Sequence, residues 1–161
     1  SYIRTIARAL TELDPVGADE YAANADAYIA RLDELAERAK AAVATIPAEH
    51  RVLATCEGAF SYLARDLGLD ELYLWAVNSE NQGLPQQVSG LIDEVRRRDV
   101  PAVFCESTVS GDAMAQVARE TGSRFEGRLY VDSLSAATGP VPTYLDLLDH
   151  DLETITRELT S

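Results

Sequence analysis

Positive charge is scarce in this chain. Fourteen Lys plus Arg stand against 27 Asp plus Glu over 161 residues, a formal net charge of −13. A surface that acidic repels phosphate, which excludes nucleic-acid binding driven by counterion release, and it is equally repelled by anionic lipid headgroups. Cations remain the natural small partners. Glycine (nine) and proline (six) are too few for a low-complexity or collagen-like chain, and 47% apolar residues mark a globular one with a real core. No apolar run approaches the roughly 18 residues that a membrane span needs. Cysteine is limited to Cys56 and Cys105, neither with a Cys or His companion nearby, which excludes a zinc knuckle and a redox CxxC. Two buried free thiols are expected, with a contact or a disulfide as the alternative, because both cysteines end strands that are neighbours in the expected order. The sequence also lacks GxGxxG, Walker and GxSxG motifs. His50 and His150 read as surface residues, so no nucleophile–base pair emerges and the chain is not expected to be an enzyme.

What is present divides into two textures. Residues 1–47 are rich in Ala, Glu, Asp and Arg. Ile3, Ile6, Ala7 and Leu10 form a helical stripe that stops before Asp14-Pro15, and it starts directly after Ser1 without a cap, as in a chain that begins inside a helix. Tyr21, Ala25, Tyr28, Leu32, Leu35, Ala39, Ala42 and Ile46 then recur at spacings of four and three. They predict one helix over 17–46, about 40 Å long at 1.5 Å per residue. The spacing also suits a coiled-coil seam, but Ala and Tyr at seam positions favour a strut lying across a domain.

From residue 51 onward short apolar runs alternate with helical stripes. Strands are predicted at 52–55, 72–77, 102–105 and 127–131, with helices between them and a last helix over 144–159. The expected fold is α/β, a four-stranded mostly parallel sheet flanked by helices, preceded by a short helix and one long connecting helix. The domain reading is a helical segment over 1–47 and an α/β lobe over 48–161.

In open parallel sheets, ligands bind beyond the carboxyl ends of the strands. Those ends carry Cys56-Glu57-Gly58, Asn78-Ser79-Glu80, Glu106-Ser107-Thr108 and Asp132-Ser133, each with a carboxylate and none with a basic residue. Carboxylates gathered on one rim repel each other unless a positive charge sits among them, which outlines a cation site. Acidic residues are also common at helix starts, where they cap backbone N–H groups, and Glu80 and Glu106 fit that role. Glu57 and Asp132 are the stronger ligand candidates, because Gly58 and Ser133 beside them allow close packing or hydrogen bonding around a ligand. Two competing classes stay open at this level: a flavodoxin-like enzyme and a helix-mediated interaction module.

The segments VLATCEGAFSYLARDLG (52–68), NSENQGLPQQV (78–88), FCESTVS (104–110) and LYVDSLSAATGPVPTYLDLL (129–148), with ALTELDP (9–15), resemble the metal-binding solute receptors of bacterial manganese, iron and zinc ABC importers. Within that cluster they are most similar to the group of pneumococcal-type surface antigens and periplasmic iron/manganese receptors. The resemblance implies two lobes joined by one long rigid helix, with the metal between them. It implies two His ligands from the amino-terminal lobe, a Glu or His after the first strand of the second lobe and an Asp after its fourth. By motif the second pair maps onto Glu57 and Asp132, and the first pair has no counterpart in these residues.

The family's zinc receptors carry His at the position of Glu57; a carboxylate there suits Mn²⁺ or Fe²⁺, with Zn²⁺ competing through its higher intrinsic affinity. Glu106 and Ser107 are expected to orient the ligands from behind. The resemblance further implies delivery of the divalent metal to a membrane permease of an ABC importer. It places the protein outside the cytoplasm, in the periplasm or on a lipid anchor, with a signal peptide on the parent. Three expectations complete the reading: the metal is not needed for folding, these 161 residues alone bind it weakly, and the helices over 2–13 and 17–46 associate into a homodimer through faces that a missing lobe would otherwise cover.

Overall fold

A computed structural model describes residues 2–80 and 82–161; Ser1, and Asn81 within the loop over 78–84, lie outside the described residues. The chain divides into two compact units, one ending at Arg38 and one beginning at Ala39. The first contains α1 (Tyr2–Leu13) and most of α2 (Ala18–Ala44). Helix α1 stops where expected: the Asp14 N–H still reaches Leu10 O at 2.8 Å, and Pro15 then opens a single 3-10 turn, Pro15–Gly17. The turn is pinned by the Tyr21 hydroxyl, which donates to Asp14 at 2.8 Å. Across it, Ile3, Ile6, Ala7 and Leu10 of α1 line an apolar groove with Tyr21, Ala25 and Tyr28 of α2. No residue of α1 is buried.

The second unit runs β1 (Val52–Glu57), α3 (Ser61–Leu67), β2 (Asp70–Trp75), α4 (Pro85–Arg98), β3 (Ala102–Glu106), α5 (Asp112–Thr121), β4 (Arg124–Leu129) and α6 (Tyr144–Thr160). Local chemistry sets the helix ends. Gly68 closes α3 in a left-handed conformation (φ 73°), Pro85 opens α4, and the Thr143 hydroxyl caps α6 by accepting from the Asp146 N–H. The α/β alternation of the sequence is thus the alternation of the fold. The second and fourth strands, however, lie two to three residues earlier than the apolar runs suggest, because edge strands tolerate exposed polar residues such as Asp70 and Glu126.

The expected single four-stranded sheet is corrected. β1 pairs with β2 in parallel register, from Val52 opposite Asp70 to Glu57 opposite Trp75. β3 pairs with β4, from Ala102 opposite Arg124 to Glu106 opposite Leu129. These are two separate two-stranded sheets. β1 and β3 lie side by side, but what joins them at their carboxyl ends is a disulfide between Cys56 and Cys105, Cα atoms 4.9 Å apart, and a side-chain hydrogen bond. The Glu106 carboxylate takes the Glu57 N–H that a backbone ladder would have used. The disulfide also corrects the expectation of two free thiols: both cysteines face the same apolar cluster from adjacent strands, close enough for the bond.

Period-two alternation sorts the strand residues between two layers. Val52, Ala54 and Cys56 of β1, with Val103 and Cys105 of β3, pack with Val88, Leu91 and Val95 of α4 and Met114 and Val117 of α5. Leu53 of β1 and Ala102 and Phe104 of β3 face the other way, onto Val43, Ile46, Phe60, Ala64 and, on α6, Ile155 and Leu159. The same parity turns Glu57 and Glu106 towards the α6 layer.

Candidate metal centre

Glu57 ends β1 and is only 8% exposed. Its Oε1 accepts the Asn78 N–H at 2.7 Å, from a loop residue in the left-handed region (φ 58°). Its own N–H donates to both oxygens of Glu106, at 3.2 and 3.3 Å, and its carbonyl accepts the Thr55 hydroxyl at 2.8 Å. Next to it, Gly58 is required by close approach: a Cβ there would sit 2.9 Å from the Tyr73 ring. The Glu57 side chain is therefore held in one place, with its second oxygen unused by any hydrogen bond among the described residues.

Glu106, at the end of β3, is 1% exposed. Burial pushes its carboxyl up to about 7, against the backbone N–H groups of Glu106 and Glu57 that favour the charged form, and the nearby Glu57 charge adds to the rise. Capping does not describe it, since its partner is the Glu57 amide, and the start of α5 is served by Ser110, whose hydroxyl accepts from the Asp112 N–H. Ser107 donates its N–H to Leu129 O at 2.8 Å, and its hydroxyl lies 3.3 Å from that of Ser133. Asp132 follows β4 by three residues. It is exposed, and its carboxylate has no hydrogen bond or ion pair among the described residues.

The registers align the strand ends: Trp75 pairs with Glu57, Glu57 reaches Glu106, and Glu106 pairs with Leu129, three residues before Asp132. Glu57 and Glu106 are thereby brought together, and Ser107 is joined to the neighbour of Asp132. Glu80 is exposed and has no partner among the described residues, as ligand or as cap. Neither histidine belongs to this rim: His50 precedes β1, and His150 on α6 bonds through Nε2 with Arg128 O at 3.2 Å.

Sequence reasoning missed Asp151. It sits on α6, 2% exposed, and its Oδ1 accepts the Tyr130 N–H at 2.9 Å. Burial raises its carboxyl to about 7, the Tyr130 N–H counteracts, and the Glu106 charge raises it further. A signal was there: Asp151 falls at helical spacing among Leu147, Leu148, Thr154 and Ile155, an acid on a mainly apolar stripe.

Among the described residues, the group of three or more His, Cys, Asp and Glu with ligand atoms within 4.8 Å of one another is Cys56, Cys105 and Glu106. Both sulfurs are committed to the disulfide, so this group is no ligand set. What the rim offers is oxygen from carboxylates, the donor chemistry of hard divalent cations.

Residues 1–158 match the family ZnuA, zinc-uptake complex component A, periplasmic. The iron-binding protein YfeA of Yersinia pestis is 49% identical over 156 residues, 97% of this chain and 50% of YfeA. The manganese-binding lipoprotein MntA of Halalkalibacterium halodurans is 36% identical over 159 residues, 99% of this chain and 53% of that protein. The chain thus spans about half the length of the curated relatives it matches. Among solved structures, a Mn-bound periplasmic metal binding protein from candidatus Liberibacter asiaticus shares 40% identity at a TM-score of 0.89, covering 98% of this chain and 58% of that one. The periplasmic zinc binding protein TroA from Treponema pallidum superposes with a TM-score of 0.91 at 24% identity, a likeness of fold alone. The chain belongs to the ZnuA family of solute receptors for metal ABC importers.

Proposed function

We propose that this chain contributes the carboxylate half of the metal site in an extracytoplasmic receptor. In this reading the receptor captures a divalent transition metal and hands it to the membrane permease of an ABC importer. The observation that carries it is the fixed Glu57 carboxylate: buried, held by the Asn78 amide through one oxygen, with the other left for a ligand. Asp132 is the second ligand. Glu106 and Ser107 orient the pair, Glu106 through the Glu57 amide and Ser107 through Ser133.

The ion in this reading is Mn²⁺ or Fe²⁺. Two carboxylates completed by imidazoles form a harder donor set than one rich in His, although Zn²⁺ competes by intrinsic affinity. The metal is cargo and is not needed for folding, since the core of the second unit is apolar and covalently tied. Binding rather than catalysis is favoured because neither cysteine has a free thiol to act as nucleophile. The disulfide also suits an oxidising compartment, in keeping with relatives described as periplasmic or as lipoproteins. Family membership favours this reading over the enzyme and interaction-module alternatives. We further propose that the isolated chain pairs with a second copy through the groove between α1 and α2.

Isothermal titration calorimetry with Mn²⁺, Fe²⁺ and Zn²⁺, alongside a nucleotide and a flavin, tests the function. Metal binding that is lost in D132A and E57A is expected. Tight nucleotide or flavin binding with no metal response would overturn it.

A further inference from the structure

The loop that carries Asp132 has an anchor of its own. β4 ends at Leu129, whose carbonyl is taken by the Ser107 N–H. The next amide, Tyr130, lies beyond the β3–β4 ladder and would lack a partner there. Asp151 supplies one, its Oδ1 2.9 Å from the Tyr130 nitrogen. Helix α6 reaches this strand because Gly127 has no side chain: a Cβ there would come within 2.7 Å of Phe104 and 2.8 Å of Thr154. His150, next to Asp151, bonds with Arg128 O and stands edge-on to the Tyr130 ring, centroids 5.3 Å apart. α6 thus grips the end of β4 through main chain and side chain. Asp132, two residues on, has no hydrogen bond of its own among the described residues, so the course of the backbone sets where its carboxylate lies.

We propose that Asp151 is a positioning residue for metal binding: through the Tyr130 amide it fixes the segment that presents Asp132. It does for the fourth strand what Glu106 does for the first, where a buried carboxylate accepts the Glu57 N–H. A carboxylate at 2% exposure is costly to bury, and a leucine of nearly the same shape would serve the apolar face of α6 better. Its acceptor is what leucine cannot replace. The inference rests on the reading of Asp132 as a ligand.

The test uses the 161-residue chain with Mn²⁺ as the probe. Dissociation constants, thermal midpoints and the exchange rate of the Tyr130 amide are measured for wild type, D132A, D151N and D151L. Asn keeps the acceptor, so D151N is expected to bind within threefold of wild type and to keep the Tyr130 amide protected. D151L is expected to bind at least tenfold more weakly, in the range seen when groups behind metal ligands are removed, with a fast-exchanging Tyr130 amide and a midpoint no lower than wild type. If D151L does not fold, D151S, whose hydroxyl is too short to reach the amide, is judged by the same criteria. Wild-type affinity in the folded Leu or Ser variant, or loss of affinity in D151N equal to that variant, overturns the proposal. If D132A binds as well as wild type, the ligand reading itself fails and takes this inference with it. If D132A loses binding while D151L does not, the inference alone fails.

Discussion

The N–H of Glu57 donates to both carboxylate oxygens of Glu106, so the end of one strand rests on the side chain that ends another. This contact bridges two sheets that share no backbone ladder. It also places a titratable carboxyl in an apolar layer, and the expected consequences are measurable.

The first concerns pH. Glu106 and Asp151 both titrate near 7 in the folded chain, above the ordinary carboxylate range. Between about pH 4 and pH 7 the folded state therefore holds protons that the unfolded state has released. Stability from this source is complete below the unfolded values and is lost as pH rises through 7. Urea unfolding of the metal-free chain should show a higher midpoint at pH 5 than at pH 8, and E106Q and D151N should each shrink that difference. A pH dependence identical in wild type and both variants would contradict the assignment.

The second concerns the disulfide. Cys56 and Cys105 are separated by 49 residues, and closing a loop of that length stabilises by up to about 4 kcal/mol through the unfolded chain. Dithiothreitol, or the pair C56A and C105A together, should lower the unfolding free energy by about 2–4 kcal/mol. An unchanged urea midpoint under full reduction would show that the bond adds no stability.

The third concerns metal affinity. Two carboxylates leave most of a six-coordinate shell to water, so the 161 residues alone should bind Mn²⁺ weakly. Binding should tighten as pH rises, because a metal ion competes with protons for its ligands. Calorimetry at pH 4.5 and 7 checks the direction, and a sub-micromolar constant that vanishes in D132A would refute the weakness.

The fourth concerns association. Ile6 and Leu10 are exposed on α1 beside Tyr21 and Tyr28, an apolar stretch of the kind that favours self-association with two-fold symmetry. Light scattering near millimolar concentration should report a dimer, and I6D with L10D should return it to monomer. A wild-type chain that stays monomeric there rules the pairing out.

Much of this arrangement was legible in the sequence because short-range rules govern it. Apolar runs alternating with helical stripes gave the strand–helix order, Gly68 and Pro85 marked helix ends, and acids after strands drew attention to Glu57, Glu80, Glu106 and Asp132, of which Glu57 and Glu106 meet at the strand ends. What was not legible depends on pairing across the fold. Nothing in VLATCE or AVFCE says that β1 and β3 share no ladder, or that a side chain, Glu106, accepts the Glu57 N–H at their ends. Free thiols are what the sequence suggests for Cys56 and Cys105, since pairing them requires knowing that two strands 49 residues apart end side by side. Asp151 passed unnoticed because a stripe on a helix records which face is buried but not which amide lies opposite.

The sulfur pair also decides which donor atoms lie together at the ends of β1 and β3. Cys56 and Cys105 are buried, and with Glu106 they bring three potential donor atoms within 4.8 Å of one another. As two thiolates beside a carboxylate, that group would be a trap for thiophilic ions such as Cu⁺ or Zn²⁺, one residue away from Glu57 in sequence. Bonded to each other, the sulfurs have no thiolate to give. Oxidation of this pair therefore removes two of the three donor atoms of that cluster and leaves the Glu106 carboxylate as its one remaining oxygen donor.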